Sequence, residues 1–302
     1  MLNLKWLELE DKGLIDGYLK KYKPQISELT FTNLFAWRRH YKLKYAEIEG
    51  YLCLMSFENE EKPYMFPLIG DLENGKLQNA LKTVVAYFNE NKYEFLIKKV
   101  EEDDVTVFLN ALGLGYVAQY DRDNSDYVYM AENLITLKGN KYHKKRNHVN
   151  KFLSTYEYEY IAINSENKSI CYDILNKWLY KKEGDIGRYK DEIIAIEDML
   201  DYYEKLDWIG AIIKVNGEPQ AFTFGEKQND ETAVIHIEKI NQKIDGLGEF
   251  INQKFCEENF KDMVYINREQ DLGIYGLRKA KKSYFPYKLI NKYNILEENK
   301  QI

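Results

Sequence analysis

Cysteine and histidine are scarce in this sequence, and each shortage narrows the possible functions. The three cysteines are far apart and show no pairing pattern, which excludes a four-cysteine zinc site and predicts buried thiols in a reducing compartment. The four histidines supply no recognisable ligand set: His143 and His148 fall on different sides of a helix, and His236 has only Glu238 beside it on a strand. We therefore predict no bound metal.

Long apolar runs are also missing. No stretch approaches the roughly 18 apolar residues that span a bilayer, and the N-terminal residues lack the basic-then-apolar pattern of a secretion signal. These absences predict a cytoplasmic protein whose membrane contact is at most peripheral. Lys and Arg number 43 against 49 Asp and Glu, so a net charge of -6 restricts any site for nucleic acid or another polyanion to a local patch.

The order of the elements predicts two similar α/β halves with mixed (α+β) sheets. The 302 residues allow two domains or one large one, and only five prolines occur, so two domains would be joined closely. Helical and strand periodicities follow roughly the same order before and after residue 130, although the residues differ. We therefore expect a first domain over 1–130 and a second over 131–302. Glu49-Gly50 and Asn216-Gly217 are typical of hairpin turns.

Two glycine-rich segments have the spacing of nucleotide motifs but lack the required context. Residues 70–76 have P-loop spacing, yet Leu77 replaces the hydroxyl residue that binds magnesium, and Asp71 and Glu73 would repel phosphate. Residues 113–118 fit a dinucleotide fingerprint, but a helix precedes them and a strand follows, the reverse of the order that aims a helix N-terminus at pyrophosphate. We interpret the first as a turn before a helix and the second as a helix C-cap.

Residues 243–248 form a third glycine-containing loop, here between a predicted strand and a predicted helix. Glycines let backbone amides approach a ligand, and a helix N-terminus carries partial positive charge. In acetyltransferase-type folds such a loop cradles the pyrophosphate of acyl-CoA, which makes Lys243, Gly246 and Gly248 candidates for donor binding. Asp245 is a poor neighbour for phosphate, and a plain turn is the alternative interpretation.

The densest basic run, residues 141–148, is predicted to be helical. Lys144, Lys145 and Arg146 form the best candidate patch in this acidic protein for the phosphates of CoA, tRNA or a lipid head group. A solvated helix face is the alternative interpretation of such a charge run.

Polar residues also follow two predicted strands, where binding groups collect in α/β sheets. Glu238, near the end of one strand, can accept a proton from an amine or form a salt bridge to a lysine. After the next strand come Asn267, Arg268, Glu269 and Asp271. Arg268 can bind a carboxylate through two hydrogen bonds, and either acidic residue can hold an ammonium, a combination that suits an amino-acid moiety. The alternative is capping by Asp271 and salt bridging by Arg268.

Several long segments resemble the family defined by the C-terminal domain of phosphatidylglycerol lysyltransferase. These segments are 32–37, 142–152, 236–239, 267–273 and 276–286, and the resemblance covers nearly the whole chain. It implies a tandem of two GNAT (acyl-CoA N-acyltransferase)-like folds. Its relatives include the Fem-type transferases, which move an aminoacyl group from charged tRNA to an amine, whereas the lysyltransferases pass lysine to a lipid hydroxyl.

The resemblance also implies that the second fold carries the site, at Glu238, Arg268, Glu269, Asp271 and the basic helix around 144–146. The first fold has no glycine-rich loop after a strand, so we expect it to be structural. We predict a transferase that moves an aminoacyl or acyl group, from aminoacyl-tRNA or acyl-CoA, to an amine or hydroxyl acceptor. No tightly bound cofactor is expected, and tRNA would bind through the local basic patch.

The predicted roles follow from charge. Glu238 acts as base or orienting carboxylate, while Arg268 holds the amino-acid part together with Asp271 or Glu269. Further candidates are the substrate-binding residues Asn267 and Arg278 and the acid Tyr284, for which packing is the commoner role. The alternative function is a catalytically inactive GNAT-like module that binds a small amino-acid-like or phosphorylated ligand. Whether Glu238 and Arg268 face the same cavity distinguishes these functions.

Overall fold

The computed structural model describes residues 2–180 and 186–300. Within them the strands are β1 (Lys5–Trp6), β2 (Leu43–Ile48), β3 (Tyr51–Ser56), β4 (Tyr64–Met65), β5 (Leu96–Glu101), β6 (Tyr116–Tyr120), β7 (Asp126–Met130), β8 (Tyr158–Ala162), β9 (Ile209–Val215), β10 (Glu218–Lys227), β11 (Thr232–Ile240), β12 (Tyr265–Asn267), β13 (Lys288–Ile290) and β14 (Lys292–Glu297). The helices are α1 (Lys12–Tyr22), α2 (Phe31–Tyr41), α3 (Leu77–Glu90), α4 (Glu102–Leu112), α5 (Ala131–Thr136), α6 (His143–Thr155), α7 (Ser169–Tyr180), α8 (Ile186–Asp201), α9 (Leu247–Asn259) and α10 (Tyr275–Lys282).

The chain divides into two compact units, and neither is a single continuous segment. The first unit contains the residues up to Asp126, then Gln270–Gly273, and the residues from Ile290 onward. The second contains Tyr127–Glu269 and Ile274–Leu289. The predicted boundary near 130 lies close to the observed change at 126, but the chain returns to the first unit twice after it.

In the described part of the chain, the first unit is built on a seven-stranded sheet with the order β1-β2-β3-β4-β5-β14-β6. β4 and β5 pair in parallel, and the other neighbouring strands pair antiparallel. α3 buries Leu77, Leu81, Val84 and Phe88 at the spacing of one helix face. These side chains join buried residues of β3 and β5 in one apolar core.

The second unit contains the other seven-stranded sheet of the described residues, with the order β13-β7-β12-β11-β10-β9-β8. Here β11 and β12 are the parallel pair, while β7, β8, β9 and β10 join through antiparallel pairs. α9 buries Leu247, Phe250, Ile251 and Phe255 against the sheet, and Phe152 of α6 stacks on Phe250 with ring centroids 4.5 Å apart. The elements therefore repeat: in each unit two helices precede three strands, a helix follows, and the next strand runs parallel to the third.

Local backbone geometry explains several elements that the sequence predicts. The turns at Glu49-Gly50 and Asn216-Gly217 have positive φ at both central residues (52° and 90°, 51° and 80°), as the tight turn of a two-residue hairpin requires. Gly113 is the C-cap of α4 with φ 86°, which confirms its interpretation as a helix end.

The last predicted strand, over 287–293, is two strands in the structure. β13 lies at the edge of the second sheet, whereas β14 lies between β5 and β6 in the first sheet. Strand-forming residues continue through both strands, so the sequence pattern carries no signal for the change of sheet. None of the helices within residues 2–180 and 186–300 combines the length and apolar composition that a membrane crossing requires.

Candidate functional site

β11 carries a bulge that interrupts its alternation beside the candidate site. Its pairing with β10 skips His236, which becomes the extra residue. Gly225 is needed opposite the bulge, since a Cβ there would lie 2.6 Å from the carbonyl oxygen of Val234. Bulges re-aim side chains, so strict alternation does not decide on which side of the sheet His236 lies relative to Glu238.

The ladder between β11 and β12 opens next to this bulge. The two strands pair from Thr232–Val234 to Tyr265–Asn267, and β11 then continues to its end at Ile240. Glu238 lies on this continuation, and Arg268 is the first residue after β12. The two predicted site residues therefore stand on the two elements that border the opening.

Glu238 and Arg268 face each other across it. Oε2 of Glu238 lies 3.7 Å from Nη2 of Arg268, and their side chains are 23% and 16% exposed. Two of their buried atoms, Oε2 of Glu238 and Nη1 of Arg268, have no hydrogen-bond partner among the described residues. Burial raises the pKa of Glu238, although the charge of Arg268 opposes that rise. Each of the two groups thus retains hydrogen-bonding capacity that no described residue satisfies.

His236 forms a separate bridge between two carboxylates. Its Nε2–H donates to Oε1 of Glu226 at 2.9 Å, and its Nδ1–H donates to Oε1 of Glu269 at 2.8 Å. The imidazole is only 5% exposed. Burial lowers the pKa of His236, but the hydrogen bonds and charges of the two carboxylates outweigh it and raise the pKa to about 10. His236 is therefore an imidazolium that fixes the position of Glu269, one of the predicted site residues.

Aromatic rings and a second ion pair surround Arg268. Its Cζ lies 4.9 Å from the ring centroid of Tyr284 and 6.0 Å from that of Tyr129. Nζ of Lys145 lies 4.0 Å from the Tyr284 ring and 3.1 Å from Oε1 of Glu249. Tyr284 is 6% exposed, and burial raises its pKa well above the usual range, so its hydroxyl stays protonated at neutral pH. These contacts hold the guanidinium in place.

Two other residues predicted after β12, Asn267 and Asp271, accept backbone hydrogen bonds within their own loop. Oδ1 of the buried Asn267 accepts a hydrogen bond from the backbone N–H of Glu269 at 2.8 Å. The buried Asp271 belongs to the first unit, where its carboxylate pairs with Arg122 at 3.3 Å and accepts a backbone hydrogen bond two residues on. Both side chains thus stabilise turns, which agrees with the capping alternative for Asp271. Arg278, on α10, is partly exposed.

The basic residues of α6 have three different environments. Lys144 is exposed, whereas Lys145 lies in the Tyr284 cluster. Arg146 donates hydrogen bonds to the carbonyl oxygens of Leu137 and Gly139 and so closes the loop before the helix. Of these three residues, Lys145 lies at the candidate site, whereas Arg146 stabilises the loop before the helix.

The glycines of the 243–248 loop serve close packing. Gly246 is the N-cap of α9 with φ 79°, and a Cβ there would clash with the backbone carbonyl of His148 on α6. A Cβ on Gly248 would lie 3.1 Å from Cδ1 of Ile240. Contact between helix and helix, and between helix and strand, therefore accounts for both glycines without a ligand.

The charges of this loop point to the same conclusion. Lys243 is exposed. Asp245 pairs with Nζ of Lys151 at 2.5 Å and with Nδ1 of His148 at 3.4 Å, and these partners lower its pKa. A carboxylate kept ionised beside the N-terminus of α9 would repel a pyrophosphate group. The geometry thus favours the plain-turn interpretation of the loop.

Two carboxylates of the clusters were not predicted. Glu226 is buried although the exposed Lys227 follows it directly at the end of β10, and Glu249 on α9 looks like an ordinary helix residue, so neither gives a clear signal in the sequence.

A cavity of about 500 Å³ lies at the end of β11, lined by Ile174, Asn176, Lys177, Trp178, Tyr180, Pro219, Gln220, Ile240 and Asn241. No group of three potential metal ligands occurs in the described ranges, 2–180 and 186–300.

The sequence from residue 19 to 296 matches the family described as phosphatidylglycerol lysyltransferase, C-terminal. A conserved protein of unknown function from Bacteroides thetaiotaomicron VPI-5482 is 33% identical, with a TM-score of 0.90 over 99% of this chain and 100% of that chain. No curated protein matches the chain in sequence.

More distant solved structures confirm the predicted fold. L-PGS from Bacillus licheniformis has a TM-score of 0.68 at 14% identity, covering 97% of this chain and 93% of that chain. A tandem GNAT protein from the clavulanic acid biosynthesis pathway has a TM-score of 0.55 at 8% identity, covering 97% and 98%. The α/β fold is thus a tandem of two GNAT-like folds. With its match over residues 19–296, the chain belongs to the family of the phosphatidylglycerol lysyltransferase C-terminal domain.

Proposed function

We propose that this protein transfers an aminoacyl group from a charged tRNA to an amine or hydroxyl acceptor, at the Glu238–Arg268 pair. The proposal rests on the position and exposure of this pair. Its two groups lie 3.7 Å apart at the opening between β11 and β12, are partly exposed, and each has a buried atom without a hydrogen-bond partner in the described residues. An ion pair closed to solvent, such as Lys99–Glu28 with side chains only 7% and 6% exposed, would give a ligand no access to its groups.

The chemistry of aminoacyl transfer fits these two groups. An acceptor oxygen or nitrogen attacks the ester carbonyl, and the negative charge that develops on the carbonyl oxygen is stabilised by the Arg268 guanidinium. Glu238, whose pKa is raised by burial, takes the proton that the acceptor loses. As the old ester bond breaks, Glu238 gives this proton to the terminal ribose oxygen of the tRNA, which leaves as a hydroxyl group, and the new ester or amide remains.

Glu269 supplies the recognition that an aminoacyl donor needs. Its Oε1 accepts a hydrogen bond from His236, and its side chain is 22% exposed, so an α-ammonium group at this surface would meet a negative charge. The family match to a lysyltransferase domain supports an amino acid as the transferred group. The packing role of Gly246 and the ionised Asp245 favour charged tRNA over acyl-CoA as donor.

The proposal is tested by binding of a fluorescein-labelled RNA minihelix that carries lysine or alanine through a non-hydrolysable 3′-amide, compared with the bare minihelix. We expect the aminoacylated form to bind about 10-fold more tightly, equivalent to about 1.4 kcal/mol. Arg268→Ala and Arg268→Lys should remove most of this difference, because lysine cannot reproduce the planar fork. Lys227→Ala, which removes an exposed pair with Asp262, is the matched control and should behave like the wild type.

Equal affinity for the charged and bare minihelix would overturn the proposal, as would an undiminished difference in both Arg268 variants. Acetyl-CoA is the parallel probe. If acetyl-CoA alone raises the unfolding temperature, the donor is an acyl-CoA and the tRNA assignment is wrong. Thermal unfolding of each variant shows whether a lost difference reflects the site or the fold.

A further inference from the structure

α10 is a helix with no buried residue, and its apolar side chains face solvent. Tyr275 is 79% exposed, Ile274 40% and Leu277 37%. Tyr275 shares an outward face with Lys279 and Lys282, which follow at the helical spacings of four and three residues. A helix without buried residues gains little stability from packing within its own unit. Its exposed apolar side chains would be removed from water if the helix bound another surface.

Two further aromatic rings extend this surface after the helix. Phe285 is 44% exposed and Tyr287 60%. Phe285 has φ 53°, a left-handed conformation that is costly for a bulky residue. The strained backbone places its ring against Tyr142, at 5.6 Å between centroids, and 5.7 Å from Nζ of Lys141. An aromatic ring is thus presented to solvent beside a cation.

Charge is strongly one-sided over the same segment. Between Ile274 and Leu289 the sequence has five Lys or Arg residues and no Asp or Glu, in a protein whose net charge is -6. Exposed aromatic and aliphatic side chains mixed with lysines are the composition that binds the head-group region of an acidic membrane, where the rings enter the interface and the cations meet lipid phosphates.

We propose that the α10 surface, defined as residues 274–289, docks on an anionic lipid bilayer. Tyr275, Phe285 and Tyr287 would enter the head-group region, and Lys279 and Lys282 would contact the lipid phosphates. An RNA partner would use the lysines and the flat rings by stacking, but it would leave the half-exposed Ile274 and Leu277 without a role. The proposal does not depend on the reaction proposed at Glu238 and Arg268, although Tyr284, within the same range, packs on Arg268.

The test is co-sedimentation of the full chain with vesicles of phosphatidylcholine alone, or with about 30% phosphatidylserine or phosphatidylglycerol added. We expect binding to both anionic vesicles at least 10-fold tighter than to neutral ones, and weaker binding in 0.5 M salt because the charges are screened. The double variants Tyr275→Ser with Phe285→Ser, and Lys279→Glu with Lys282→Glu, should each reduce binding about 10-fold or more.

Matched controls lie elsewhere on the surface. Leu114→Ser removes a fully exposed leucine of the first unit, and Lys205→Glu reverses an exposed lysine of the second. Both should bind vesicles like the wild type. The proposal is overturned if anionic vesicles bind no better than neutral ones, if the controls lose as much binding as the double variants, or if only phosphatidylglycerol binds. It is also overturned if the double variants weaken minihelix RNA binding and leave vesicle binding intact.

Discussion

Replacing His236 with glutamine should destabilise the protein by an amount that depends on pH. The imidazolium is nearly fully buried and donates to two carboxylates at 2.8 and 2.9 Å. Glutamine can donate to one of them but carries no charge, which leaves the buried carboxylate of Glu226 and the partly exposed one of Glu269 without their cation. Breaking a buried ion pair costs about 3–5 kcal/mol. The pKa shift from 6.5 to about 10 gives a similar ceiling of about 5 kcal/mol.

The sign of the pH dependence follows from the direction of this shift. The folded protein holds the proton of His236 more tightly than the unfolded chain, because its folded pKa is near 10 and its unfolded pKa near 6.5. The stabilisation is therefore complete below pH 6.5 and is lost as the pH rises towards 10. His236→Gln lacks this group, so its deficit relative to the wild type should be largest near pH 6 and close to zero at pH 10.

Urea unfolding of both proteins at intervals between pH 6 and pH 10 measures this difference directly. His148→Gln is the matched control, since His148 is 48% exposed and pairs only loosely, at 3.4 Å, with Asp245. It should change stability by less than about 0.5 kcal/mol at every pH. A His236→Gln deficit that stays constant from pH 6 to pH 10 would refute the reasoning, because it would show that lost packing rather than lost charge causes the destabilisation.

Two further predictions concern close packing in the second unit and a buried carboxyl group in the first. Gly246→Ala should destabilise the protein by about 3 kcal/mol, because the new Cβ would clash with the backbone carbonyl of His148. Gly139→Ala is the control: Gly139 also has positive φ but has open space around it, so the loss should be about 1 kcal/mol. Equal losses of stability in urea unfolding would contradict the packing role of Gly246. Burial and then Asp104 raise the pKa of Glu101 to about 7, so the folded protein binds this proton more tightly than the unfolded chain. The free energy of unfolding of the wild type should therefore fall by up to about 3 kcal/mol between pH 4.5 and 7, and Glu101→Gln should lack this loss. The same pH dependence in the wild type and in Glu101→Gln would contradict the prediction.

The elements that the sequence predicts correctly are those decided by neighbouring residues. The Asn216-Gly217 turn and the Gly113 helix end depend on backbone conformations that these residues adopt easily. Apolar residues at helical spacing predict a helix from Leu77 to about Asn91, and the structure has α3 over Leu77–Glu90. Gly246 predicts the start of a helix that ends near Asn259, and the structure has α9 over Leu247–Asn259. Local propensity and pattern agree there, so one sequence is enough.

What the sequence does not predict depends on partners far along the chain. The segment 287–293 has one strand-like pattern, yet its two ends pair in different sheets, because the partners of β14 are β5 and β6. The bulge at His236 breaks an alternation that looks regular in the sequence. Arg146 stands in the same basic run as Lys145, but its hydrogen bonds to two loop carbonyls are visible only in three dimensions. Residue type indicates the chemistry, and tertiary packing decides which residue is available for it.

The charged clusters beside the parallel strand pairs differ in exposure between the two units, which favours the second unit as the location of the candidate site. In the first unit, Lys99 follows the parallel pairing of β5 much as Arg268 follows that of β12, and it too has an acidic partner, Glu28, at 3.3 Å. These side chains are only 7% and 6% exposed, and Nζ of Lys99 is covered by the ring of Tyr41 at 4.8 Å. The buried Lys292 completes this arrangement at 2.6 Å from Glu28. A second cation and the ring close the first arrangement to any ligand, whereas the pair in the second unit remains 16–23% exposed and therefore meets solvent.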